Sequence, residues 1–278
     1  MATYRQKWDS VEEMILDVEK NAKAHLSVME KHHYHGRESF VGRDILTWDK
    51  AKKAARATWV EGMATYKEMR GSFRGELPRP KSIRRRLRWR EDMGDEVCLD
   101  RLRSGQPFWR ATHREAAPSA NAVVTVAFEI GSSSRVDSKK ILWKGIAAIV
   151  LADLLEEAGY RVELWGMWRS LGSFVNRHNA YQAYKLKEAQ DPINVAGILT
   201  AVSGWFFRTV GFESYAGYKL GKVFVKPIGS LGSPGVVTKE DREFAGLPED
   251  LINCGLEIIS KHAAEEWIRK QLVKFQEK

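Results

Sequence analysis

The feature that most constrains the fold is a long apolar segment between two predicted strands, within residues 121–168. Residues 123–128 (VVTVAF) form a continuous apolar run, which is typical of a strand in a parallel sheet that is covered on both faces. The segment from Ile141 to Ala158 is apolar almost all round, as expected of a buried crossover helix, and Gly159 marks its end. A second strand is predicted from Arg161 to Gly166. Together these elements form a β-loop-α-β unit, which predicts an α/β fold.

The rest of the second half of the chain continues this alternation. We expect a strand, a helix, two further strands and an amphipathic C-terminal helix, at residues 183–189, 195–207, 222–226, 251–259 and 260–275. This order predicts a three-layer α/β/α domain over residues 119–278.

The first 118 residues are predicted to form a separate region of helices and a β-hairpin. Helices are expected from about residue 10 to 30, from Trp48 to Thr58 and from Val60 to Arg70. Pro118 and Ser119 separate this region from the α/β domain.

Residues 79–90 (RPKSIRRRLRWR) carry seven positive charges and no negative one. Their alternation predicts a strand on which one face holds four arginines, here called the arginine row: Arg84, Arg86, Arg88 and Arg90. Asp92-Met93-Gly94 is expected to close a hairpin after this strand. The hairpin register pairs opposite charges and apolar side chains with each other: Arg86–Asp100, Arg90–Glu96, Leu87–Leu99 and Trp89–Val97.

The arginine row has two interpretations. Alternate residues of a strand repeat about every 6.6–6.8 Å, which suits a contact with successive phosphates of a nucleic acid. Against this, Trp89 lies on the other face and cannot stack on bases beside the same arginines, and the hairpin would neutralise two of them with Glu96 and Asp100. A structural or protein-facing row of ion pairs is the second interpretation, and both stay open.

The loop after the first apolar strand carries the candidate site. It contains a carboxylate and small residues, in the order Glu129, Ile130, Gly131, Ser132, Ser133 and Ser134. In open parallel sheets, ligands bind at this carboxyl edge. The alternative is that these side chains hydrogen-bond the loop itself and cap the helix near Asp137.

Two segments of this unit, FEIGSSS and LADLLEEAGYRVELWG, resemble the von Willebrand factor A domain, in particular the intracellular type found in cobaltochelatase-like proteins. The resemblance covers about residues 121–275 and implies a Rossmann-like three-layer fold. It also implies a metal-ion-dependent adhesion site, where an aspartate, two serines, a threonine and a second aspartate bind Mg²⁺. Glu129 stands at the first aspartate, Gly131 and Ser133 stand at the two serines, and Asp191 lies in a later loop, outside any matching motif.

Two departures from that pattern predict a degenerate metal site. Gly131 has no side-chain oxygen, and Glu129 is one methylene longer than aspartate. Mg²⁺ requires near-octahedral geometry at about 2.0–2.1 Å. We therefore expect Mg²⁺ neither to bind tightly nor to stabilise the fold, and no cofactor is predicted.

The sequence is also similar to uncharacterised phage-encoded proteins that pair such a domain with a helical N-terminal region. That similarity implies no activity. The chain lacks the G-x-S-x-G, G-x-x-x-x-G-K-[ST] and H-E-x-x-H motifs, which favours a binding protein over an enzyme. The cluster His32, His33 and His35 is interpreted as an exposed helix end and not as a metal site.

The amino-acid composition constrains the cellular location and the kind of partner. The chain has two cysteines without metal-site spacing, no signal-peptide pattern and no apolar segment of membrane-spanning length. We expect a cytoplasmic protein, in the host cytoplasm if it is phage-encoded, with no membrane partner. The formal net charge of +9 favours attraction to polyanions.

These observations lead to two functional hypotheses. The first is a non-catalytic protein-interaction or adaptor module, whose partner meets the edge formed by Glu129, Ser132, Ser133 and Ser134. The alternative is a nucleic-acid-binding protein that uses the arginine row.

Overall fold

The structure is a computed structural model, and it describes residues 3–21, 48–76, 84–90, 96–115, 123–133, 136–171, 179–216, 219–220, 223–224 and 233–276. The strands are β1 (Thr3–Trp8), β2 (Arg84–Arg90), β3 (Glu96–Val97), β4 (Trp109–Glu115), β5 (Val123–Glu129), β6 (Arg161–Leu171), β7 (Asn179–Lys187), β8 (Lys219–Leu220), β9 (Val223–Phe224), β10 (Ser233–Gly235) and β11 (Ile252–Cys254). The helices are α1 (Val11–Asn21), α2 (Trp48–Ala55), α3 (Val60–Gly71), α4 (Leu99–Arg103), α5 (Ser138–Glu157), α6 (Val195–Ile198), α7 (Gly204–Phe206), α8 (Phe212–Ala216), α9 (Lys239–Ala245) and α10 (Lys261–Gln276). A 3₁₀ helix (Thr200–Val202) and a π-helix (Phe207–Gly211) lie between α6 and α8.

The main sheet has the strand order β1-β7-β6-β5-β11, and β10 pairs with the end of β6. The pairings β5–β6, β5–β11 and β1–β7 are parallel, whereas β7 and β10 run antiparallel to β6. β7 pairs with one side of β6, and β5 pairs with the other. Beyond the end of β5, β10 pairs with β6 on the same side as β5, with Ser233 opposite Leu171. This mostly parallel, helix-flanked sheet confirms the predicted α/β class.

Helix α5 is the crossover between β5 and β6, as predicted. Asp137 caps it by accepting a hydrogen bond from the backbone N–H of Lys139 at 2.8 Å. Fourteen of its twenty residues are buried, because the helix packs on the sheet on one side and under α3, α7 and α10 on the other. Gly145 lies so close to Val202 that a Cβ there would be 2.2 Å from the valine Cβ. The main hydrophobic core surrounds this helix, and a smaller one under α9 covers the opposite face of the sheet.

The predicted helix at 195–207 is wrong as a single element. The chain instead passes through α6, the 3₁₀ helix, α7, the π-helix and α8. Ser203 interrupts the helical path with an extended backbone (φ −80°, ψ 149°) and caps α7. The break lets Gly204 approach the crossover helix, where an added Cβ would lie 2.7 Å from the backbone oxygen of Ser138.

The main sheet also contains the start of the chain. Strand β1 was not predicted, and it pairs in parallel with β7 from Thr3–Asn179 to Trp8–Tyr184. Further along, Arg70 of α3 donates to Asp153 of α5 at 2.7 Å. The boundary placed between residues 118 and 119 therefore does not separate the N-terminal elements from the sheet.

The predicted hairpin register is wrong. The second sheet has the order β2-β4-β3, so β4 lies between the two strands that were expected to pair. Arg86 lies opposite His113 and Arg90 opposite Trp109. Asp100 and Leu99, the expected partners of Arg86 and Leu87, belong to α4.

The remaining strand predictions are shifted in their bounds. The strand at 183–189 is part of β7, and the strand at 251–259 is reduced to β11. Of the strand at 222–226, only Val223–Phe224 is described, paired with β8. The histidines at 32, 33 and 35 lie outside the described residues. No helix among the described residues is long and apolar enough to cross a membrane.

Candidate functional site

Glu129 ends β5 and is enclosed by neighbouring elements. Only 2% of the residue is exposed. Its Oε1 accepts a hydrogen bond from Asn253 Nδ2 at 2.6 Å, and its Oε2 accepts one from the backbone N–H of Val237 at 3.4 Å. Burial raises the pKa of the Glu129 carboxyl group, although these hydrogen bonds and the charge of Lys144 oppose the shift. The carboxylate is therefore already engaged by β11 and by the segment after β10.

Lys144 is the buried cation at this edge. It lies in the second turn of α5, and its long side chain points back toward the helix start, as helical side chains do. Its Nζ atom donates to the backbone oxygen of Gly131 at 2.7 Å and to Ser132 Oγ at 2.8 Å. Burial lowers the pKa of Lys144 to about 8, so the ammonium form prevails at neutral pH.

Arg208 holds the other half of the loop. It extends from the π-helix, and its Nη2 donates to the backbone oxygens of Ser133 at 3.0 Å and Val136 at 2.5 Å. Burial lowers the pKa of the Arg208 guanidinium to about 10, which leaves it charged at neutral pH. π-Helical turns are rare and are often found at functional sites. Here the π-helix carries the arginine that fixes the loop.

The donor set does not fit Mg²⁺. Magnesium prefers carboxylate, carbonyl and water oxygens in octahedral geometry. Oxygens of Gly131 and Ser132 are bound to the Lys144 ammonium, and a buried cation repels a second cation. Among the described residues, no group of three or more histidine, cysteine or acidic side chains is placed to hold a metal ion.

The structure brings together only part of the predicted metal set. Glu129 and Ser133 lie at the same edge of the sheet, at the N-terminal end of α5. Asp191 is exposed and lies beyond the end of β7, next to Ile193, whose N–H donates to Glu156 near the C-terminal end of α5. A 20-residue helix is about 30 Å long. The prediction that Asp191 and Glu129 contribute to the same metal site is therefore wrong.

The structure describes some of the residues that were predicted to form a partner-binding edge. Ser132 and Ser133 are partly buried loop residues, and Ser134 lies outside the described residues. Glu129 is too buried to touch a partner directly. The nucleic-acid candidates Arg84, Arg86, Arg88 and Arg90 lie on β2, at an edge of the second sheet.

Sequence reasoning missed Lys144, Arg208 and Asn253. Lys144 had a visible signal, because a lysine stands between apolar residues in a helix that is apolar almost all round. Arg208 and Asn253 had none, because they reach the loop from elements 72 residues or more away along the chain.

In a comparison with protein families, residues 2–244 match a model described as Domain of unknown function (DUF7192). The chain belongs to this family. The DUF7192 match begins before β1 and ends within α9, so it includes the second sheet as well as most of the main sheet. No curated protein and no solved structure matches the chain.

Proposed function

We propose that this DUF7192 protein is a non-catalytic protein-interaction module, an adaptor similar to von Willebrand A domains. Its binding edge is the loop at residues 129–134, and it works without a metal ion. The observation that carries the proposal is the Lys144 ammonium, bound to Gly131 and Ser132 in the loop that holds Mg²⁺ in the resembled family. A fixed internal cation gives the loop one shape in the absence of metal.

Exposed apolar side chains at the same edge support a protein partner. Leu171 ends β6 and is 41% exposed, and Val236 follows β10 and is 71% exposed. Leu171 pairs with Ser233 beyond the end of β5, and Val236 precedes Val237, whose backbone N–H donates to Glu129. Protein interfaces combine an apolar centre with a polar rim, and Ser132 and Ser133 supply the polar part.

A matched pair of valines tests this surface. Val60 at the start of α3 is 73% exposed, nearly the same as Val236, and lies on a different element. Tagged wild type, Val236→Asp and Val60→Asp should be used to capture proteins from the source cells, with and without EDTA. We expect a protein captured by the wild type and by Val60→Asp, unaffected by EDTA, and lost with Val236→Asp. Capture that requires divalent metal, or that survives Val236→Asp, would contradict the proposal.

We place the module in the cytoplasm, which is the host cytoplasm if the protein is phage-encoded. Both cysteines, Cys98 and Cys254, are free thiols, as is usual in a reducing compartment. This location can be checked by alkylating Cys98 in intact cells with a membrane-permeant reagent and, separately, with a non-permeant one. A cytoplasmic thiol reacts only with the permeant reagent.

A further inference from the structure

We propose that the second sheet binds single-stranded nucleic acid, with the arginine row along the phosphates and Trp109 beside it as a stacking platform for a base. This activity is separate from the adaptor role of the main sheet. It rests on the backbone register of β2 and β4.

The β2–β4 register places few acidic residues opposite the arginines of β2. Five of the seven residues of β2 are arginine. On the face of the arginine row, Arg86, Arg88 and Arg90 lie opposite His113, Ala111 and Trp109, and the acidic residue of β4, Glu115, lies opposite Arg84. Three of the four positions of the row therefore have no acidic residue opposite them in this pairing. The phosphates of a bound strand can supply that negative charge.

The expected hairpin had argued against nucleic acid because it would have neutralised two arginines, and that objection no longer holds. Glu96 pairs with Arg110 of β4 and not with Arg90, and Asp100 is in α4. Neither Glu96 nor Asp100 therefore faces the arginine row across a ladder, whereas Glu115 lies opposite Arg84. This removes the ion-pair interpretation in the form that the sequence suggested.

The position of β2 suits contact with an extended backbone. It is an edge strand, since the order is β2-β4-β3. The four positions of the arginine row alternate along it, which spaces them about 6.6–6.8 Å apart. A row of cations at that spacing can follow the phosphates of one strand and release their counterions.

Trp109 favours a single strand over a duplex. It lies opposite Arg90, and paired residues of an antiparallel ladder fall on the same face, so it joins the arginine row where Trp89 does not. Trp109 is partly exposed, and its ring lies 5.9 Å from that of Phe108. Proteins that bind single strands combine basic tracks with aromatic side chains on which bases stack.

Fluorescence anisotropy of the full chain tests the proposal, with labelled dT20, rU20 and a 20-base-pair duplex. We expect both single strands to bind more tightly than the duplex. With about four phosphate contacts, the slope of log K against log salt is about −2.8 for a single strand, so affinity falls about 50-fold between 50 and 200 mM salt. Tighter binding of the duplex, or a slope near zero, would overturn the proposal.

Two variants separate the arginine row from the general charge of the protein. Arg86→Gln/Arg88→Gln should weaken binding and reduce the slope by about 1.4, whereas Trp109→Ala should weaken binding about 10-fold with the slope unchanged. The control Arg74→Ala/Arg161→Ala removes the same charge from two exposed positions elsewhere. Equal losses in the control and in the β2 variant would overturn the site. Thermal melting of each variant identifies any that fails to fold. In that case the proposal is decided by the wild type alone, from its preference for single strands over the duplex and from the slope of log K against log salt.

Discussion

At the scale of single residues, the loop after β5 depends on a buried lysine, Lys144. Transfer of an ammonium group from water is unfavourable unless hydrogen bonds and an opposite charge compensate for it. Lys144 has two oxygen acceptors at 2.7 and 2.8 Å, and Glu129 supplies a negative charge nearby. Its lowered pKa indicates that the compensation is incomplete.

The pH dependence of stability should reveal this lysine. The folded pKa of Lys144, about 8, lies below its ordinary value of 10.5, so the unfolded chain binds more protons in that interval. Relative to Lys144→Met, the wild type should gain stability from pH 8 to 10.5, by at most about 1.4 kcal/mol per pH unit. Urea unfolding of both proteins between pH 7 and 10 measures the difference. The raised pKa of the buried Cys254 thiol acts in the opposite direction, and it is present in both proteins. A difference that stays constant with pH would contradict the assignment.

Glu213 offers a second residue-scale prediction. It is 3% exposed, its Oε2 has no hydrogen-bond partner among the described residues, and burial raises its pKa to about 7. The folded state therefore binds more protons than the unfolded chain between pH 4.5 and 7, and the wild type loses stability as the pH rises through that interval. Glu213→Gln should be more stable than the wild type by about 1–3 kcal/mol at pH 8 and nearly equal to it at pH 4. Chemical denaturation at the two pH values measures this, and equal differences at both would be inconsistent with it.

At the scale of elements, sequence patterns predicted what local residues determine. The β5-α5-β6 unit was predicted because its burial appears as continuous apolar runs and its helix stop as Gly159, which has φ 93°. The predicted β2–β3 hairpin was wrong. Its register was chosen because it paired opposite charges in neighbouring segments, but the chain does not use that register. Cys98 donates its N–H to Phe108 at 2.9 Å, and α4 between them turns the chain so that β4 enters the sheet.

The contact between α5 and the 3₁₀ helix gives an element-scale prediction. Gly145→Ala would place a Cβ 2.2 Å from Val202, so one of the two elements must move. We expect a loss of about 1–3 kcal/mol in unfolding free energy, despite the better helix propensity of alanine. Gly71→Ala is the control, because that helical glycine has no atom within 4 Å of an added Cβ. It should be neutral or stabilising, and equal effects of the two substitutions in urea unfolding would contradict the packing argument.

At the scale of the whole molecule, the fold joins segments that the sequence appeared to separate. Asp241 of α9 is fully buried and binds both Arg5 of β1 at 2.9 Å and Arg169 of β6 at 2.8 Å. Trp8, 2% exposed, donates to Asp17 at 2.9 Å. Parallel pairing between segments more than 170 residues apart leaves no local sequence pattern, which is why β1 was not predicted.

A truncated chain tests this unity. Residues 119–278 lack β1, the partner of β7, and leave Asp241 without Arg5. We expect this fragment to show no cooperative unfolding transition under conditions where the full chain does. Near-UV circular dichroism and urea titration measure it. A fragment with the same midpoint as the full chain would support a boundary at residues 118 and 119.

The central claim is that the Lys144 ammonium takes the place of a metal ion, and thermal melting with and without Mg²⁺ tests it most directly. A site filled to a hundredfold excess over its Kd adds about 2.7 kcal/mol, and each kcal/mol corresponds to about 2–4 °C for a large domain. We predict a shift below about 1 °C in millimolar Mg²⁺, relative to NaCl of equal ionic strength. A rise of several degrees that Glu129→Ala abolishes would show that the loop binds metal and would contradict the account.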